Sequence, residues 1–499
     1  MNELLQEERR HRGILYSIAR QAMVERGLLP DFSPEALAEL DKIHMPAPAH
    51  GSIADLRDLP WASIDNDESR DLDQVTVAEP GGDGQVKIRV AIADVDALVE
   101  KGSALDEHAQ HNTTSVYTPA VIFPMLPEKL STNLTSLNYR EERVSVVSEM
   151  LINRDGSLRD STVFLALVKN KAKLAYHGVA AWLEDRGEMP AGIADVPGLA
   201  ENLRLQDRIA QAMKAFRHEH GALSFETIQG EPLFLGDQVV DLRAKEKNRA
   251  QDIIEDFMIA ANAANARFLS SKGFPSLRRV VQTPRRWDRI VDLVAGWGQK
   301  LPGQPDPKAL ESFLVRAKAR DPLRFPDISL SIIKLLGSGE YVADFPGREA
   351  PGHFGLGLRK YMHSTAPNRR YPDLITQRLL KAALADMSVP YGKKDLESLA
   401  LHCTEAEDAA AKVERRVEKS AAALFLQSRI GERFDGIVTG AAQKGTWVRI
   451  FHPPVEGKLL EGFQGLDVGD KVQVKLVSTD VEKGFIDFRR VHGRGKSHR

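Results

Sequence analysis

The chain has 499 residues, with 68 Lys and Arg against 70 Asp and Glu, 42% apolar residues and a single cysteine. That length predicts roughly three domains of about 150 residues each, and the apolar share is that of ordinary globular domains. One cysteine, Cys403, excludes an internal disulfide and a cysteine-built zinc centre, and it fits a reducing cytoplasm. Residues 1–12 are polar with no apolar signal core, and no apolar run nears the ~18 residues of a bilayer span, so no membrane role is expected. The formal net charge of −2 leaves nucleic-acid binding open, because a local basic stripe matters more than the sum.

Residues 1–52 read as a helical module. Ile14, Leu15, Ile18, Ala22 and Met23 recur at helical spacing, and Gly27 is placed to stop that helix. Ser33 followed by Pro34 marks a second helix start, since the hydroxyl caps free amides and proline needs no donor at the first helical position. Such helices form either a helix-turn-helix or winged-helix module that binds nucleic acid, or a small dock on the main domain; the sequence leaves both open. The Pro- and Ala-rich stretch 45–52 reads as the linker that follows.

Residues 53–428 carry no further linker, repeat or low-complexity tract. Strand patterns cover 74–78 and 86–95 across the turn 80–84. Helical patterns follow: Ile254, Phe257, Met258, Ala261 and Phe268, stopped by Gly273-Phe274-Pro275, then 373–385 and 405–427. Strands first and helices later predict a large α+β domain. From 429 to 499 the pattern changes to short strands over 434–439, 446–451, 471–477 and 484–489, as in a small β-barrel. The end is basic, with Arg489, Arg490, His492, Arg494, Lys496, His498 and Arg499; it is either a solvated terminus or a phosphate contact.

The most informative stretch is Asp65-Asn66-Asp67-Glu68-Ser69-Arg70-Asp71-Leu72-Asp73-Gln74, after the apolar pair Trp61-Ala62 and before a strand. Most Asp-rich runs are solvated turns, but this one sits against a core. Asp71 and Asp73 are two apart, so in extended backbone both carboxylates share a face. Hard cations take oxygen ligands, and a pair of them on a phosphate needs several carboxylates close together. A calcium-loop reading fails, because Arg70 stands where glycine is needed and Thr76 where the bidentate glutamate is needed. A second constellation runs His363-Ser364-Thr365-Ala366-Pro367-Asn368-Arg369-Arg370-Tyr371-Pro372-Asp373-Leu374 just before a predicted helix. Paired guanidinium forks and helix-start amides suit phosphate, although an Arg-Arg pair alone more often bridges surface carboxylates. Together the two stretches point to phosphoryl-transfer chemistry, without deciding between RNA, DNA and nucleotide.

These stretches resemble the ribonuclease II / ribonuclease R family, whose catalytic unit is the RNB domain. Its acidic signature, I-D-x-x-x-x-x-D-x-D-D, corresponds to Ile64-Asp65 and Asp71-Leu72-Asp73-Gln74, and its second, H-F-T-S-P-I-R-R-Y-P-D-L, to residues 363–374. Ile92-Ala93-Asp94-Val95, Ser115-Val116-Tyr117, Pro124-Met125-Leu126-Pro127 and residues 255–262 fall between them in the family's order. The likeness runs over about 59–427 and continues into an S1-type OB-fold barrel. It implies an α+β protein in three parts: a helical module over 1–52, an RNB catalytic domain over 53–428 and an S1-type barrel with a basic tail over 429–499.

The resemblance further implies a processive hydrolytic exoribonuclease, working from single-stranded 3′ ends to nucleoside 5′-monophosphates by a two-metal mechanism. Mg²⁺ is the implied ion, with Mn²⁺ equally acceptable to oxygen ligands. By motif position Asp65, Asp71 and Asp73 become the metal carboxylates, with Asp73 the most critical. Arg369 becomes the stabiliser of charge on the phosphate, with Arg370 beside it, and Glu414 a further active-site acid. Tyr117 becomes an aromatic clamp on the terminal nucleotides, Phe225 its stacking partner, and Glu255 or Asp256 a contact to the terminal ribose. A monomer in the cytoplasm is expected, with RNA as partner and no membrane.

Three departures stand out. The family's fourth aspartate is Gln74 here, which supports a rival reading as an RNA-binding regulator with impaired catalysis. Ala366 and Asn368 replace the family's Ser and Ile. About fifty helical residues stand where the family has two cold-shock barrels, so a wider channel mouth and progress into RNA duplexes are expected. The barrel also looks short between Trp447 and Gly469.

Overall fold

The computed structural model describes residues 10–49, 51, 53–228, 230–244, 247–347, 352–442 and 445–491. The two N-terminal helices form where expected, as α1 (Arg10–Glu25) and α2 (Pro34–Leu40), with Pro34 in the first turn of α2 and the Ser33 hydroxyl accepting from Ala36 N at 3.1 Å. Each buries its apolar side in a different place. Leu15, Ile18, Ala22 and Met23 join a cluster with Val413 and Val417 of the last helix and with barrel residues, while Ala36 and Leu40 join the core of the main domain. Of the two readings the sequence left open, this packing favours a dock on the main body.

The main domain is built on a seven-stranded sheet. Its strands are β1 (Ala54–Asp55), β2 (Ala62–Asp65), β3 (Gln74–Pro80), β4 (Val86–Ala93), β7 (Glu142–Ile152), β8 (Leu158–Lys169) and β9 (Ala172–Ala175). They lie in the order β1-β8-β7-β4-β3-β2-β9; three short pairs stand apart, β5 (Val116–Tyr117) with β6 (Ile122–Phe123), β10 (Gly230–Leu235) with β11 (Gln238–Ala244), and β12 (Ser276–Val280) with β13 (Glu340–Asp344). Adjacent strands run antiparallel except at the two ends, β1 with β8 and β2 with β9. The period of two along β4 decides what each face meets. Ile88, Val90 and Ile92 face a helical layer containing Ile209, Met213, Ile253 and Phe257, whereas Ala91 and Ala93 face the opposite core. A sheet covered on both faces explains why its strands read as nearly continuous apolar runs.

On the first of these faces lie α3 (Tyr176–Leu183), α4 (Leu199–Glu219) and α5 (Arg249–Ser271). The helices α6 (Trp287–Gly296), α7 (Pro307–Arg320) and α8 (Phe325–Leu336) form a lobe with its own apolar cluster. Then come α9 (Tyr371–Leu384) and α10 (Lys393–Leu426). The helix α10 begins a dozen residues before the expected 405, because Leu396, Leu399 and Cys403 extend its buried side.

The last domain is a closed five-stranded barrel, in the order β14 (Arg433–Ala442), β15 (Gly445–Ile450), β16 (Glu456–Glu461), β18 (Phe485–Arg490), β17 (Lys471–Asp480). The stretch that looked short contains β16, which the sequence reading passed over and which closes the barrel. Of the basic tail, Arg489 and Arg490 lie on β18, while His492, Arg494, Lys496, His498 and Arg499 lie outside the described residues.

A buried ion pair ties the barrel to the helical lobe: the Arg449 guanidinium on β15 donates to both Asp327 carboxylate oxygens on α8, at 2.9 and 3.0 Å. Arg449→Ala strands Asp327 in a site whose burial already raises its pKa. The loss expected is about 3–5 kcal/mol, read as a lowered denaturation midpoint. Pairing Arg449→Met with Asp327→Leu should recover most of it.

Candidate active site

The acidic loop leaves β2 at Asp65 and enters β3 at Gln74. Its anchor is Leu72, buried in the core with its N–H donating to Ser136 Oγ at 2.9 Å and its carbonyl accepting from Leu137 N. With Leu72 turned inward, Asp71 and Asp73 share the other side of extended backbone, as their spacing of two requires. Asp65, at the end of β2, accepts from Asn66 N at 2.7 Å and from the Ser69 hydroxyl at 3.0 Å.

The second motif meets this loop from the other side. Asp373, fully buried in the first turn of α9, accepts from Thr365 N and Ala366 N at 2.7 and 2.8 Å. Asn262 of α5 accepts from Ser364 N at 2.8 Å. These bonds shape a loop whose Asn368 N–H donates to Asp73 Oδ1 at 3.1 Å and whose Arg369 Nε–H donates to Asp73 Oδ2 at 3.0 Å. The Arg369 carbonyl accepts from Ser115 N, which fixes the motif leading into Tyr117 beside it. The replacement residue Asn368 is fully buried and accepts from the Thr135 hydroxyl.

Tyr117 is 38% exposed, and its hydroxyl donates to Asp71 Oδ2 at 3.1 Å. Its backbone N–H donates to Glu414 Oε1 of α10 at 2.8 Å. Asp65, Asp71, Asp73, Tyr117, Arg369 and Glu414 therefore come together from four separate segments.

Burial dominates the electrostatics. It pushes the Asp73 carboxyl up to about 6, with Arg369 opposing and Asp71 reinforcing the rise. Burial also raises Asp65 and Glu414. The Asp71 charge adds to the rise at both Asp65 and Asp73, a crowding of carboxylates that a divalent cation would relieve, and their donor atoms are all oxygen, as hard cations require. Among the described residues, no three His, Cys, Asp or Glu side chains are drawn together at ligand spacing. Asp73 instead faces Arg369 and Asn368, and Asp71 faces Tyr117.

Other expected site residues sit elsewhere or differently. Arg370 donates to Asp373 at 2.8 Å, so its guanidinium braces the loop. Phe225 is half-buried and packs against the lobe cluster of Trp287, Phe313 and Phe325, in a different segment from Tyr117. Glu255 is exposed and paired with Lys247, whereas Asp256 is buried against Arg217. Gln74 is buried at the start of β3. One residue the sequence reading missed is Tyr176, whose phenol is pushed up by burial first and then by the nearby Asp65 charge, with Arg369 opposing. Only the pairing of β2 with β9, which sets Asp65 opposite Ala175, reveals it.

Two half-buried histidines, His353 and His363, lie before and at the start of the second motif. Burial and then Arg279 lower His353 to about 4, and burial with Arg370 holds His363 well below its ordinary value. Both folded-state values lie under the unfolded 6.5, so the unfolded chain takes up protons first. Their contribution to stability is complete above about pH 6.5 and is lost as pH falls towards 4. Urea midpoints should drop between pH 7.5 and 5, and less steeply in His353→Gln; an unchanged slope in that variant would clear His353 of the effect.

Over residues 53–386 the sequence matches the RNB domain, two-thirds of the chain. The chain belongs to the RNB family. Residues 432–491 match the RNase II-type exonuclease C-terminal S1 domain, which accounts for the closed barrel. Among relatives, Ribonuclease R of Vibrio parahaemolyticus is 29% identical over 497 residues, covering 91% of this RNB chain and 58% of its own. The chain thus spans little more than half the length of that relative. Among solved structures, Mycoplasma genitalium RNase R in complex with ribose-methylated single-stranded RNA superposes with a TM-score of 0.85 at 22% identity, over 95% of this chain and 77% of that one. Yeast Ssd1, a pseudonuclease, superposes with a TM-score of 0.70 at 16% identity, over 92% and 57%. No described helix is long and apolar enough to cross a membrane.

Proposed function

We propose that this RNB chain is a hydrolytic exoribonuclease that shortens RNA processively from the 3′ end and releases nucleoside 5′-monophosphates. It works as a cytoplasmic monomer with Mg²⁺, or Mn²⁺ in its place, on single-stranded ends and into adjoining duplex. The observation that carries this reading is the meeting of Asp73 with Arg369, beside Asp71 and the exposed ring of Tyr117. The names of its relatives and the RNA-bound Mycoplasma enzyme support the same substrate.

Asp65, Asp71 and Asp73 would hold the divalent ions, whose chemistry is to activate water and neutralise the leaving oxygen. The protein's own share is positional and electrostatic. Asp73 takes the Nε–H of Arg369 and fixes the plane of the guanidinium, whose other N–H groups remain to oppose charge building on the phosphate. Tyr117 offers a base-stacking face, and Glu414 holds its backbone in place.

A second reading, an RNA-binding regulator without catalysis, draws on Gln74 and on the pseudonuclease that shares the fold. One assay separates them: 3′-overhang RNA and matched DNA are incubated with Mg²⁺ or EDTA, and the products are identified. Mg²⁺-dependent release of 5′-monophosphates from RNA alone is expected, with a 3′-tailed hairpin shortened into its stem. Intact RNA that is nonetheless bound would favour the regulator.

A further inference from the structure

A cavity of about 600 Å³ opens between α3, α4 and the start of α5; of the residues described above only Lys247, the partner of Glu255, lines it. It adjoins the acidic site in sequence: His177 lines it, while Ala175, two residues before, pairs with Asp65 across β2 and β9. Its volume is that of a small-ligand site, whereas gaps left by imperfect packing are seldom larger than a water.

The lining is chemically mixed in a specific way. Lys247 and Arg249 flank Asn248, the N-cap of a 23-residue helix, so two cations stand beside the first-turn amides. Both cations are fixed from behind. Arg249 makes two bonds to Asp207, at 2.7 and 2.9 Å, and Lys247 pairs with Asp252 at 2.9 Å. Arg186 adds a third cation on an exposed stretch, paired with the Glu184 carboxylate beside it. Phosphate suits that set. Glu184, held by Arg186, and Asp252, held by Lys214 and Lys247, keep further oxygen lone pairs of the kind that accept ribose hydroxyls. The small side chains of Ala180 and Ala181 leave room for a flat ring, and Gln211 brings a carboxamide that can read a base edge. A bare anion would use only the first of these features.

We infer that this cavity binds a nucleoside 5′-monophosphate, the product released next door. The inference rests on the exoribonuclease reading for the source of the ligand, while the site itself is defined by its lining. Bound product there would slow turnover when monophosphate accumulates.

The test is calorimetric titration of the full RNA-free chain with AMP, and with inorganic phosphate and adenosine for comparison. AMP should bind more tightly than either fragment. Ala181→Phe, which fills the cavity, and Arg186→Glu, an exposed change that folding tolerates, should each weaken AMP at least about tenfold, or 1.4 kcal/mol. Unaltered melting temperatures would confirm that both variants fold. No AMP binding, binding that survives both changes, or binding lost only in Asp73→Asn would overturn the inference, the last by placing the nucleotide in the catalytic centre. RNA hydrolysis on the same preparations keeps the two readings apart. A chain that cuts RNA but lacks cavity binding refutes only the cavity, and one that binds AMP there but cuts nothing refutes only the exoribonuclease.

Discussion

Asp73→Asn is expected to lower RNA turnover on the order of 100- to 1000-fold while leaving RNA affinity nearly unchanged. The substitution preserves shape but not hydrogen-bonding sense. Both Asp73 oxygens accept, Oδ1 from the Asn368 N–H and Oδ2 from the Arg369 Nε–H. An asparagine has one acceptor and one donor, so either the loop amide or the guanidinium meets an N–H where an oxygen stood. The arginine that opposes phosphate charge loses its fixed orientation, and the acidic cluster loses one of its carboxylates. Threading depends on groups the change does not touch, among them the Tyr117 ring and the barrel. Turnover at saturating RNA and Mg²⁺, with affinity by fluorescence anisotropy, measures the two effects separately. Near-normal turnover would remove Asp73 from the chemistry.

Much of this site could be read from residues alone, because its logic is local. Leu72 between two aspartates is enough to place Asp71 and Asp73 together, and the structure buries Leu72 as that alternation demands. Ser33-Pro34, and the Gly273 that follows α5, marked helix limits through capping and backbone freedom that need no tertiary context. What could not be read depends on pairing across the chain. Tyr176 reaches the site only because β9 lies beside β2, and no local pattern announces a parallel neighbour 110 residues away. The strand β16, Glu456-Gly457-Lys458-Leu459-Leu460-Glu461, has a glycine and two adjacent leucines in place of clean alternation; closure against β15 and β18 makes it a strand. The stacking role of Phe225 rests on family resemblance alone, and the fold sets its half-buried ring against Trp287 and its neighbours.

Arg369→Ala should lower turnover by on the order of 100-fold or more, with a smaller loss in binding, because its charge is needed most when the phosphate carries most charge. The structure adds a second reason. Arg369 lowers the pKa of a carboxyl that burial otherwise raises, so removing it leaves Asp73 with the Asn368 amide and a stronger tendency to hold a proton. The variant thus loses a cation at the proposed phosphate position and weakens an anion of the proposed metal set together, which sets it apart from loss of a simple surface contact. Arg369→Lys should recover little. Lysine brings the charge but not a planar fork that bonds Asp73 through one edge while presenting its remaining N–H groups outward, and the 42% exposure of this side chain shows that part of it is available to a substrate. Steady-state kinetics distinguishes the roles. A fall in kcat with little change in KM assigns Arg369 to the transition state, whereas a raised KM at unchanged kcat would make it a clamp on the bound RNA.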